Sequence, residues 1–110
     1  MPEPPNQGLD AAIAALWRDA KPRALARVEV LEGAVAALGR GSLDADAAAE
    51  AASEAHKLAG ALGTFGMPGG TAHARTLEHA LAGGASAGDA PALAAEVAAL
   101  RAVVEDGAGS

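Results

Sequence analysis

From Leu25 onward the apolar residues of this chain recur at intervals of three and four, and glycine or proline punctuates each run. Leu25, Val28, Leu31, Val35 and Leu38 form one stripe; Leu93, Val97, Leu100 and Val104 form another. That spacing lines up side chains on one face of an α-helix. No segment alternates apolar and polar residues over the length of a strand, and runs of β-branched or aromatic residues are missing. Hydrophobic residues make up 51% of the chain, with one Trp, one Phe and no Tyr. Much of that fraction is alanine, which suits helices packed close together rather than sheets.

The punctuation divides the chain. Residues 1–8 carry three prolines and read as a disordered tail. Leu9, Ile13, Leu16 and Trp17 predict a short helix over 9–20, broken at Lys21-Pro22. Pro22 then suits the first turn of a second helix, 22–39, closed by Gly39 and Gly41. A third helix, 45–65, is capped by Asp44 or Ser42 and stopped by Gly66. A fourth, 68–82, opens on Pro68 and ends at Gly83-Gly84. The last, 89–105, is capped by Asp89 and has Pro91 in its first turn. Residues 106–110 read as a second disordered tail. Short connections favour antiparallel neighbours. The expected fold is therefore all-α: an antiparallel up-down four-helix bundle over 9–105, with a short extra N-terminal helix and Trp17 covering one end.

Composition excludes several functions. The chain has no cysteine, so disulfides, thiolate metal sites and cysteine nucleophiles are ruled out. No apolar run reaches the roughly 18 residues of a membrane span, and the acidic, Pro-rich start does not read as a signal peptide. A cytoplasmic protein without a membrane partner is expected. The net charge of −6 disfavours nucleic acid. The basic set Arg18, Lys21, Arg23 and Arg27 reads as a solvated face or as a rim contact for an acidic partner. His73 and His79 share no helix face, and neither belongs to a His-x-x-x-His or Glu-x-x-His pair, so no metal site is expected. Gly66-Met67-Pro68-Gly69-Gly70 does not follow a strand and lacks a Lys-Ser/Thr step, so it is not a nucleotide loop. No cofactor is expected, and no kinase activity of the chain's own.

The helix over 45–65 is unusual. Its periodicity sends Ala51, Ala55, Leu58, Leu62 and Phe65 to the core. Ala49, Ala52, His56, Gly60 and Gly63 fall on the other side. Glycine inside a helix costs about 1 kcal/mol relative to alanine, and here it occurs twice beside one histidine. A solvated face is normally charged; this one is small and uncharged, which suits a docking surface. Neutral imidazole is a nucleophile toward phosphorus. Phosphoryl transfer asks little else of the protein than an exposed attacking atom in line with the phosphorus, and a partner to stabilise charge. Glu54 could orient the imidazole, although solvation is the simpler reading of the acidic first half of this helix.

The segment His56-Lys57-Leu58-Ala59-Gly60, followed by Gly63 and Phe65-Gly66, resembles the phosphorylation motif of histidine-containing phosphotransfer (HPt) domains, His-x-Leu-Lys-Gly with a further glycine downstream. Arg75-Thr76-Leu77-Glu78 is similar to the family's next helix, where a Leu-Glu pair is frequent. The resemblance implies that His56 is a phosphoacceptor that exchanges its phosphoryl group with an aspartate of a receiver domain, in a response regulator or a hybrid histidine kinase. It implies a phosphorelay intermediate of two-component signalling that works as a monomer. Lys57, Gly60, Gly63, Ala52 and Ala59 would contact the phosphate or the partner. Ala59 departs from the family pattern, which has lysine there. Lys57 is the nearest lysine in sequence, and Arg75 is a weaker candidate for the phosphate. The alternative reading is a non-catalytic helical adaptor that binds a partner through the same His56/Gly60/Gly63 face.

Overall fold

The periodic segments fold as four α-helices in the computed structural model, which describes residues 6–107. They are α1 (Asn6–Gly39), α2 (Ala45–Thr64), α3 (Pro68–Ala82) and α4 (Ala90–Asp106), with a 3-10 turn at Ala87–Asp89 before α4. The predicted tails at 1–5 and 108–110 lie outside the described residues. Asn6 to Gly8, expected in the first tail, already belong to α1. Asp106 ends α4, and Gly107 is its C-cap.

The first two predicted helices are one. Pro22 lies inside a continuous helix of 34 residues. A proline here removes one N–H and crowds the carbonyl one turn earlier. Pro22 is exposed, so water can solvate the carbonyl that loses its donor. Trp17 before it and Ala24 and Val28 after it are buried in the same core. Packing therefore holds both halves of the helix in register across the break that proline alone would favour.

The other boundaries follow local chemistry. Asp44 caps α2, its Oδ1 accepting from the Ala47 N–H at 2.7 Å; Ser42 instead donates to the Ala37 carbonyl. After α2 the chain turns at Gly66, where φ is +72°. The Met67 N–H donates to Leu62 O and the Gly66 N–H to Gly63 O, the glycine-closed ending that satisfies the last carbonyls of a helix. Asp89 does not use its side chain to cap α4. Its carboxylate accepts from the Ser86 N–H and hydroxyl and so closes the 3-10 turn.

Each helix packs on its chain neighbours, and α4 returns to α1, so the four form a closed ring in chain order. Cross-links show that adjacent helices run antiparallel. Arg27 pairs with Glu54 and Trp17 meets Phe65 across α1 and α2. His73 pairs with Glu96 across α3 and α4, and Arg101 with Glu32 across α4 and α1. Leu31, Leu58, Leu62, Leu77 and Leu100 are fully buried on the axis. Gly70 lets α3 approach closely, since a Cβ there would stand 2.7 Å from Leu62 Cδ1 and 2.9 Å from Val103 Cγ1.

α1 outruns its partners. From Gly8 onward Trp17 is its first buried residue, while Leu9 and Leu16 are each 59% exposed. At 1.5 Å per residue the helix is about 50 Å long, and the molecule measures 61 × 21 × 18 Å.

Candidate functional site

The sequence places His56 in the middle of α2, away from the residues that bury Leu58 and Leu62, and its side chain is 69% exposed. The neighbouring helix fixes its orientation. His56 Nδ1 lies 2.9 Å from Glu78 Oε2 on α3. An ionised carboxylate only accepts hydrogen bonds, so Nδ1 carries the proton and Nε2 keeps the lone pair. A carboxylate partner at one ring nitrogen also sets the rotation of the imidazole. Glu78 is itself largely covered.

Glu78, not Glu54, is thus the carboxylate that holds the imidazole. Glu54 turns toward α1, where it pairs with Arg27 and stands 3.8 Å from Lys57 Nζ. Lys57 is drawn to the same side. Reading α2 alone could not find Glu78, but the turn offered a signal. His56 and Glu78 are equidistant from Met67, at the hinge of the α2–α3 hairpin. A similar relation about the Gly84–Ala85 step brings His73 Nδ1 to within 2.6 Å of Glu96 Oε2.

The small residues divide into two groups. Gly60 and Gly63 are exposed. A Cβ on Gly60 would meet nothing within 4 Å, and one on Gly63 would make only ordinary contact with Thr71 Oγ1 at 3.7 Å. Nothing inside the molecule therefore requires glycine at 60. Ala52 and Ala59, expected on the open side, are buried at 7% and 3% exposure. They form the seam with α3, where the Thr71 hydroxyl donates to the Ala59 carbonyl at 3.1 Å. The stripe is open on one flank only, because α3 covers the other.

Half of the expected basic rim is spent on internal contacts, while Arg18 and Arg23 are exposed. Lys21 Nζ donates to the Glu105 carbonyl, and Arg27 is held by Glu54. His79 is exposed.

The family model of the Hpt domain matches residues 13–106. The chain belongs to the Hpt domain family. No curated protein and no solved structure matches it. An Hpt domain serves histidine phosphotransfer in two-component signalling, as a carrier rather than a kinase, and interacts with receiver domains in phosphorelays. The all-α bundle agrees with that membership. The match takes in all of α2, α3 and α4, and in α1 it begins at Ile13, within the part that overhangs the bundle. Among the described residues of this Hpt domain, no helix is long and apolar enough to cross a membrane.

Proposed function

We propose that His56 is the phosphoacceptor of this Hpt domain and that it exchanges the phosphoryl group with the aspartate of a receiver domain, in a response regulator or a hybrid histidine kinase. The observation that carries the reading is the exposed imidazole whose Nδ1 is held by Glu78, leaving Nε2 free toward solvent. In the forward step the Nε2 lone pair attacks the phosphorus of an aspartyl phosphate. The Nε2–P bond forms as the acyl P–O bond breaks, and the aspartate leaves as a carboxylate. Nδ1 keeps its proton, so the phosphorylated ring is an imidazolium, and the Glu78 carboxylate offsets its charge. Reversal returns a neutral imidazole, a good leaving group, without any proton having left the site.

The open space beside Gly60 leaves room for the receiver's surface to reach Nε2. Lys57 lies at the edge of that surface, and Gly63 continues it along α2. Binding without transfer, as in an adaptor, would need none of the tautomer control that Glu78 provides. The test is incubation with receivers phosphorylated by acetyl phosphate, followed by detection of acid-labile, base-stable phosphate. The parent should take label and His56→Gln should take none. Equal labelling of His56→Gln would remove the assignment, and binding by an unlabelled parent would favour the adaptor.

A further inference from the structure

A phosphoryl group on His56 Nε2 would bring two negative charges close to Glu78. While a receiver is docked, it can balance them. Once the receiver leaves, the Hpt domain must do so alone. Lys57 and Arg27 are both engaged with Glu54 on the α1 side of α2. Ala59 is buried beneath α3 and has no charge to offer.

Arg75 stands in a different position. It is the only Lys or Arg of α3, it is exposed, and it takes part in no hydrogen bond or ion pair among the described residues. Thr71, Arg75 and Glu78 follow one another at helical spacing along one edge of α3. Both ends of that edge touch α2: Thr71 at the Ala59 carbonyl and Glu78 at His56. Arg75 therefore sits between them, about 4.5 Å along the axis from Glu78, at the level of α2 between His56 and Gly60. A guanidinium suits a phosphoryl group because its fork of N–H donors can engage two oxygens at once.

We propose that Arg75 is the phosphate-binding residue of this site, holding the phosphoryl group on His56 from the neighbouring helix. The proposal rests on His56 being the phosphoacceptor. The experiment measures the equilibrium fraction of phosphorylated protein against one receiver, approached from both directions, for the parent, Arg75→Ala and Arg75→Lys. Loss of one charge-assisted hydrogen bond predicts a transfer equilibrium constant about 5- to 10-fold lower for Arg75→Ala. Arg75→Lys should recover part of this, through charge without the fork. The imidazole 15N shifts of all unphosphorylated forms should coincide, since Glu78 is untouched. The Arg75 Nε–H resonance should move on phosphorylation of the parent. An Arg75→Ala equilibrium equal to the parent's, or an Arg75→Lys equilibrium no better than that of Arg75→Ala, overturns the role of Arg75 alone. A parent that accepts no phosphoryl group from any phosphorylated receiver overturns the assignment of His56, and the role of Arg75 with it.

Discussion

At His56 two demands meet: the attacking nitrogen must be open, and the ring must not turn freely. Exposure of 69% meets the first, and the 2.9 Å contact to Glu78 meets the second. The contact also separates orientation from charge. Glu78→Gln can still accept from Nδ1–H and keep the tautomer, but it cannot offset an imidazolium. Rapid-quench transfer from a phosphorylated receiver should slow about tenfold, the equivalent of about 1.4 kcal/mol in the barrier. Glu78→Ala should slow it further and let the tautomers mix, which imidazole 15N shifts would report.

Between helices, the same substitution has opposite meanings at two glycines. Gly60→Ala adds a methyl group to empty space and should stabilise the fold by up to about 1 kcal/mol in urea. The same methyl intrudes where a receiver would approach, so transfer should weaken. Gly70→Ala drives a methyl group into Leu62 and Val103 and should destabilise by about 1–3 kcal/mol despite its better helix propensity. Pro22 is a third case. It is exposed and sits inside α1, so Pro22→Ala restores a donor and loses no core contact. Urea titration should show a gain of about 1–3 kcal/mol. Local chemistry decides the helix ends at Asp44 and Gly66, whose effects reach only one turn. At Pro22 local chemistry does not decide, because Trp17, Ala24 and Val28 outweigh it through contacts distant in sequence.

Across the whole molecule, α4 must come back to α1 for the bundle to close, and the Glu32–Arg101 pair marks that closure. Arg101 Nε and Nη2 donate to the two carboxylate oxygens at 2.7 and 2.8 Å. Those hydrogen bonds hold the Glu32 carboxyl below its ordinary value of 4.5 and push the Arg101 guanidinium further up. Between its native value and 4.5, Glu32 binds more protons in the unfolded chain than in the folded one. Stability therefore rises with pH through that window and is lost as pH falls through it. Denaturant unfolding of Glu32→Gln should show a shallower loss on the acid side than the parent. Both side chains are partly solvated, so the difference should shrink as salt is added.

The periodicity of the apolar residues is a local property of the chain. Together with the residues that punctuate it, it was enough to determine four amphipathic helices, a cap at Asp44 or Ser42 and a stop at Gly66, the antiparallel order imposed by short connections, and His56 standing outside the core stripe. Three things depended on which helix lies beside which, and only the tertiary structure decided them. Glu78 reached His56 because the hairpin about Met67 sets the α2–α3 register. Ala52 and Ala59 became seam rather than surface because α3 covers that flank, a fact the angular position of a residue on one helix does not contain. α1 ran straight through Pro22 because burial on both sides of a proline can exceed the cost of one missing hydrogen bond.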